Sequence, residues 1–137
     1  MIRDKAASYA VLAMVDIARR RQESGAADVQ ANDIASRFGL PMAYTAKVLS
    51  QLARASLLRS GRGPRGGFQL AREPKDITLL QILSAARAWN DDSLSLAASA
   101  PAAVRRGVTE ALGRAAEQAK SELDRVRLSD LLAESPE

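Results

Sequence analysis

The amino-acid sequence predicts a mainly α-helical fold with one small β-hairpin, and three patterns support this. Two short amphipathic segments flank Gly39 and predict a pair of helices joined by a tight turn. A glycine-rich segment, residues 59–70, lies between two apolar runs and predicts a hairpin. Apolar residues then recur at helical spacing beyond residue 101, which predicts a long C-terminal helix.

The first helix is expected over residues 4–22. Small and apolar side chains at positions 10, 13, 14 and 17 form one stripe, which neighbouring valines widen, so this helix should be buried on most sides. Three arginines, residues 19–21, form its last turn, where cations interact favourably with the helix dipole; we favour this role over a DNA contact. Val29 is expected to begin a short strand that pairs with the hairpin.

Residues 31–52 are typical of a helix-turn-helix. Gly39 lies at the turn, where a left-handed backbone is needed, and Pro41 suits the first turn of the second helix because its missing N–H would be unpaired there. The side chains expected to form a buried stripe are Tyr44, Val48, Leu49 and Leu52. Those expected to face outward are Met42, Ala43, Thr45, Ala46, Lys47, Ser50 and Arg54. The pattern also fits a plain helical hairpin. Most of the Tyr44 ring is expected to pack in the core, and its hydroxyl could still reach a phosphate.

The predicted hairpin carries Arg62 and Arg65 at its tip, with no acidic residue after them until Glu73. Uncompensated cations suit a phosphate backbone or a narrow minor groove, although a basic solvated turn would have the same composition. A helix-turn-helix followed directly by such a hairpin predicts a winged helix. In that fold the second helix enters the major groove of DNA, and the hairpin, or wing, reaches an adjacent backbone or minor groove.

The distribution of charge agrees with a nucleic-acid partner for the first part of the chain. Up to Lys75 there are thirteen Lys/Arg against six Asp/Glu, whereas from Asp76 on there are seven against ten. The sequence has no lipidation motif, no apolar run long enough to span a bilayer and no signal peptide. We therefore expect a cytoplasmic protein that binds double-stranded DNA and no membrane.

The C-terminal part divides into a variable loop, residues 88–101, and a helical segment, residues 102–137, after a DNA-binding domain of residues 1–87. The loop contains Trp89, Asp91 and Asp92, which could line a site for a small-molecule or protein effector; packing for the tryptophan and a solvated turn for the aspartates are the alternatives. A seam spaced by four and three residues predicts a homodimer interface, with packing back onto the same domain as the alternative. Its members are Val108, Leu112, Ala115, Ala119, Leu123 and Val126. A last short helix is expected over 128–132.

Motifs along nearly the whole chain resemble the IscR/NsrR-type winged-helix transcription regulators of bacteria. They are Tyr9-Ala10, Asp33-Ile34-Ala35 with Gly39-Leu40, Tyr44, Arg62-Gly63-Pro64 with Gly66-Gly67-Phe68, Ile77-Thr78-Leu79 and Leu128-Ser-Asp-Leu-Leu132. The resemblance implies a homodimer on a pseudo-palindromic operator, with the long helices crossing between subunits. It also implies that Arg62 enters the minor groove and that Tyr44 and Lys47 touch the DNA.

The sequence departs from this family at the cofactor site. Many members bind an iron–sulphur cluster through three cysteines in the loop before the dimer helix, but this chain has no cysteine and no histidine. Thiolates hold such clusters, and Asp91 and Asp92 would be hard oxygen ligands that replace them poorly. We therefore expect no cofactor and no metal. Ala43 and Ala46 also offer no hydrogen bond to bases, so discrimination would come from Lys47, Thr45, methyl contacts and DNA shape.

An enzyme is not expected, because nucleophilic triads and zinc hydrolysis need residues that this chain lacks, and no phosphate-binding loop is present. The sequence thus predicts a sequence-specific transcriptional regulator, with a repressor preferred. The alternative is a dimeric protein-interaction adaptor, or a small-molecule sensor that binds DNA weakly, on the same scaffold.

Overall fold

The computed structural model describes residues 2–25, 28–61, 66–89 and 99–134. The helices are α1 (Asp4–Ser24), α2 (Ala31–Phe38), α3 (Met42–Arg54), α4 (Leu79–Ala85), α5 (Ala102–Arg125) and α6 (Leu128–Ala133), and the strands are β1 (Leu58–Ser60) and β2 (Phe68–Leu70). A short 3₁₀ turn, Pro74–Asp76, precedes α4. The predicted mainly α fold with a two-stranded hairpin is confirmed.

Helix α1 lies at the centre of the core. Met14 and Ile17 on α1 are almost wholly inaccessible to solvent and cluster with Ile34, Leu49 and Leu52 of the helix-turn-helix. Burying one such side chain contributes about 1.5–3 kcal/mol relative to leaving it in water. This contact therefore fixes the helix-turn-helix on α1.

The turn between α2 and α3 has the predicted left-handed backbone. Gly39 has φ 65°, and its N–H donates to the Ala35 carbonyl, as does the N–H of Leu40 at 2.8 Å. Only glycine adopts this φ at no steric cost. The turn thus sets the angle at which α3 leaves α2.

The wing is held to the domain by a third extended segment. β1 and β2 pair antiparallel, with Leu58 opposite Leu70 and Ser60 opposite Phe68. The Val29 N–H donates to the Phe68 carbonyl at 3.0 Å, and the Phe68 N–H donates to the Val29 carbonyl at 2.8 Å. The expectation that Val29 pairs with the hairpin is confirmed, and β2 is hydrogen-bonded along both of its edges, to β1 and to Val29.

The end of α5 returns to its own domain. Leu123 packs against a small cluster formed by Ala6, Leu83 and Ala88. The seam predicted Val126 on α5, and this prediction is wrong. The Val126 backbone is extended, and its carbonyl accepts a hydrogen bond from the Leu79 N–H at 2.8 Å. Helix α5 thus ends at Arg125, and the last part of the predicted seam pairs with the first residue of α4 within the same domain.

Across the described part of the chain, no helix combines the length and the apolar character that crossing a bilayer requires.

Candidate nucleic-acid interface

The outward face of α3 carries the polar side chains that a major-groove helix needs. Lys47, Ser50 and Arg54 are exposed and follow one another by three and four residues, so they share one face of the helix. Met42, 47% exposed, precedes them on the first turn. The exposure of Lys47, Ser50 and Arg54 agrees with the prediction that these three side chains face outward.

Thr45 does not belong to that face, and the prediction that it faces outward is wrong. Its side chain is 2% exposed, and its Oγ1 donates a 2.9 Å hydrogen bond to the Pro41 carbonyl one turn earlier. The buried stripe of α3 begins at Thr45 and continues with Val48, Leu49 and Leu52. The helix is thus rotated slightly from the predicted orientation, which moves Thr45 inward and Tyr44 to the edge of the core.

Tyr44 lies beside α1, where its ring meets that of Tyr9. The two ring centroids are 5.0 Å apart and the rings are nearly perpendicular, an arrangement favoured by the aromatic quadrupole. Tyr44 is still 36% exposed, so the expectation of a mostly packed ring holds only for the side that faces Tyr9. Lys5 and Lys47 line the same cavity of about 470 Å³. Two cations thus flank the aromatic pair, and sequence reasoning did not predict Lys5.

A second groove runs along the other side of the α3 face. It has a volume of about 430 Å³, and α3 contributes Lys47, Ser50, Gln51 and Arg54 to its wall. Arg87, which follows α4, lines the same groove. No local sequence pattern predicts Arg87 as part of this surface, because none shows that the end of α4 lies beside α3.

An ion-pair cluster around the buried carboxylate of Asp16 holds α2 against α1. The Asp16 carboxylate accepts hydrogen bonds from Arg20 Nε at 3.1 Å and from Arg37 Nη1 at 2.6 Å. Only 7% of the Asp16 side chain is exposed. Burial raises the pKa of the Asp16 carboxyl above its ordinary value, and the adjacent Arg20 opposes this by a smaller amount. In the sequence, this site is marked only by Asp16, a single acidic residue on the apolar face of α1.

The arginine triplet at the end of α1 is partly used inside the domain. Arg20 binds Asp16, and Arg21 Nη2 donates to Glu73 Oε1 at 2.7 Å. The Arg21–Glu73 pair joins the end of α1 to the segment that follows the wing. These two arginines therefore have partners within the chain and add little to the exposed positive surface.

The wing-tip arginines and the predicted effector-loop residues fall in two groups. Arg62 and Arg65 of the wing tip, and Asp91 and Asp92 of the variable loop, lie outside the described residues. Trp89 is half-buried and packs against the cluster of Ala6, Leu83 and Ala88, while its backbone N–H donates to the Leu83 carbonyl at 3.2 Å. These contacts support the packing role for the tryptophan.

The donor set for metals is poor. The chain contains no cysteine and no histidine. Within the ranges that the structure describes, no three acidic side chains come together in a way that could hold a metal ion. Any iron site would therefore need ligands other than the thiolates and imidazoles that iron–sulphur clusters use.

Proteins with similar sequences or folds include bacterial transcription regulators. The transcriptional regulator IscR of Aliivibrio salmonicida is 39% identical over 77 residues, which cover 56% of this chain and 44% of that protein. The chain thus aligns with less than half the length of that relative. CymR, the global cysteine regulator of B. subtilis, superposes with a TM-score of 0.73 at 25% identity, covering 96% of this chain and 95% of CymR. IscR of T. potens gives a TM-score of 0.68 at 28% identity, with 96% and 90% covered.

These proteins are regulators and not enzymes, which agrees with the expectation from composition. The family model described as "Rrf2: Iron-dependent Transcriptional regulator" matches residues 3–134, which is nearly the whole chain. The winged helix described above is the architecture of the solved relatives. The chain therefore belongs to the Rrf2 family of DNA-binding transcription regulators.

Proposed function

We propose that this protein is a sequence-specific repressor that binds a pseudo-palindromic operator as a homodimer and works without an iron–sulphur cluster. The observation that carries the proposal is the exposed face of α3, with Lys47, Ser50 and Arg54 on a rigid helix-turn-helix beside the wing. Lysine and serine donate to base edges in the major groove, and arginine binds bases or phosphates. Two such faces in a dimer would read half-sites about one helical turn apart, roughly 34 Å.

The homodimer is supported by α5. No side chain of this 24-residue helix, which lies wholly within the described residues, is buried. Val104 is 52% exposed, and Val108 and Leu112 follow it on the same side at four-residue intervals. An apolar stripe of this kind is stabilised when a second copy of the helix covers it. We accordingly assign dimerisation to the part of α5 before Leu123.

The side chains available as metal ligands support a regulator that works without a cofactor. The family description refers to iron, but the residues of this chain do not fit the family's usual cluster because no thiolate is available. We expect protein purified without oxygen to be colourless and to contain no stoichiometric iron. One iron per chain with visible absorbance would contradict this part of the proposal.

The DNA-binding part is tested by selecting duplexes from a random pool with the purified protein. We expect an enriched site with two-fold symmetry, and we expect Lys47→Ala to reduce its preference over random duplex. A promoter containing the site should be silenced by the wild type in a reporter assay. Equal retention of random and selected duplex would contradict the proposal and favour the protein-interaction adaptor.

A further inference from the structure

An arginine occupies a backbone position that glycine usually fills. Helix α4 ends in a Schellman motif: the Arg87 N–H donates to the Ser84 carbonyl at 3.1 Å, and the Ala88 N–H donates to the Leu83 carbonyl at 2.7 Å. Arg87 has φ 56°, in the left-handed region that side chains with a Cβ disfavour. Strained non-glycine positions of this kind are concentrated at functional sites. The side chain of Arg87 is thus a candidate for a role that its backbone geometry does not explain.

The position of Arg87 suggests what that role is. Its side chain lines the 430 Å³ groove together with Lys47 and Arg54 of α3, and no carboxylate of the described residues lines it. Within the described residues, none of these three cations makes an ion pair. The groove therefore carries uncompensated positive charge along the edge of the helix that faces outward. Such a groove suits a polyanion.

We propose that Arg87 binds a phosphate of the DNA backbone at the edge of each half-site, so that the interface extends beyond the helix-turn-helix and the wing to the end of α4. This inference depends on the proposed function. When α3 lies in the major groove, the strands that border the groove pass beside the helix, where Arg87 is located. A guanidinium matches the geometry of a phosphate with two parallel hydrogen bonds. The two backbone hydrogen bonds of the Schellman motif fix the base of the side chain and lower the entropic cost of binding.

The substitution Arg87→Gly separates this role from a structural one. Glycine relieves the left-handed strain, so the thermal midpoint of unfolding should be equal to or higher than that of the wild type. Affinity for the selected operator should nevertheless fall about tenfold, and the slope of log K against log salt should decrease by about one per protomer. Ser56→Gly is the matched control for the backbone, because Ser56 has φ 63° at the same position after α3 and carries no charge. Arg72→Gln, after the base of the hairpin, removes an exposed charge outside the groove.

The phosphate itself is assigned with operators that carry single neutral methylphosphonates. At one flanking position in each half-site, a methylphosphonate should lower the operator affinity of the wild type about as much as Arg87→Gly lowers it. The same methylphosphonate should not lower the affinity of the Arg87→Gly variant further. Wild-type affinity and salt slope for Arg87→Gly, or an equal loss for Arg72→Gln, would overturn the assignment. A wild type that binds no duplex in preference to others would contradict the proposed function itself, and the assignment with it.

Discussion

The carboxylate of Asp16 on α1 accepts a hydrogen bond from the guanidinium of Arg37 at the end of α2, with 2.6 Å between Oδ1 and Nη1. The two residues are 21 positions apart, and Asp16 is nearly inaccessible to solvent while Arg37 is about half exposed. This pair joins the first helix of the helix-turn-helix to the central helix of the domain. It therefore helps to determine where α2, and through the Gly39 turn α3, is held.

Replacing Asp16 with alanine should lower the free energy of unfolding by about 1–3 kcal/mol, because Arg20 and Arg37 would both lose a charged hydrogen-bond acceptor. Glu122→Ala is the control. It breaks the 3.4 Å pair with Arg125, in which both side chains are about three-quarters exposed, and such surface pairs contribute less than about 1 kcal/mol. Urea unfolding measures both. Equal changes in the two variants would show that the Asp16 cluster does not hold the domain together.

The pH dependence of stability should reveal the raised pKa of Asp16, which burial raises more than Arg20 lowers it. A raised pKa in the folded state means that the native protein takes up this proton at a higher pH than the unfolded chain does. The contribution of Asp16 to stability should thus be largest below the ordinary aspartate value of about 4, and should decrease as pH rises through the folded-state pKa. The difference in unfolding free energy between wild type and Asp16→Asn, measured against pH, should follow this course. A difference that grows with rising pH would contradict it.

The wing should be sensitive to a methyl group at Gly67. A Cβ built there would lie 2.9 Å from the carbonyl oxygen of Val29, which is backbone and cannot move aside as a side chain can. Gly67→Ala should therefore lower the free energy of unfolding by about 1–3 kcal/mol. It should also displace the hairpin from Val29 and weaken DNA binding. Gly113→Ala on α5, where a Cβ meets no atom within 4 Å, should be neutral or stabilising because alanine favours helix. Full stability and affinity in Gly67→Ala would show that the bridge does not position the wing.

Replacing either of two leucines of the predicted seam with aspartate should have different effects on assembly and stability. Leu112 has no contact with the buried clusters of the described residues, whereas Leu123 packs against the cluster of Ala6, Leu83 and Ala88. Leu112→Asp should produce a folded monomer, because the charge would be buried only in the dimer. Leu123→Asp should lower the unfolding temperature as well. Sedimentation and thermal unfolding distinguish the two, and a monomeric wild type at micromolar concentration would contradict the dimer.

Sequence periodicity predicted the elements of this fold well, because each depends on local signals. Gly39 marks the turn and the apolar stripe of α1 marks the core, and Val29 was correctly expected to pair with the hairpin. Two of the errors concern side chains near the boundary of the α3 stripe. Thr45 and Tyr44 are neighbours on α3, and a small rotation of the helix exchanges an inward position for an edge position.

The parts of the candidate interface that the sequence did not predict depend on distant elements. Lys5 joins Lys47 only because α1 crosses α3, and Arg87 joins Arg54 only because α4 ends beside α3. Val126 follows the spacing of the dimer seam, but its hydrogen bond to Leu79 requires a pairing that no local pattern encodes. Tertiary contacts of this kind set both the shape of the surface and the end of α5.

The arginines of the wing carry the last prediction. Arg62 and Arg65 flank Gly63-Pro64 in the segment of the sequence that joins β1 to β2, and no acidic residue follows them until Glu73. Arg65→Ala should weaken binding to all duplexes about equally, as expected when a phosphate contact is lost. The slope of log K against log salt should decrease by roughly one per site contacted.

Arg62→Ala should weaken the free energy of DNA binding by about 1–3 kcal/mol. The loss should be larger on operators with A·T-rich flanks, where the minor groove is narrow and its negative potential is strong. Titrations of both variants against the selected operator and random duplex, at two salt concentrations, separate the two roles. Arg59→Ala on β1, an exposed arginine of the same hairpin, controls for the loss of charge alone. Wild-type affinity in both tip variants would mean that the wing does not touch DNA, and recognition would then depend on α3 and its flanking cations.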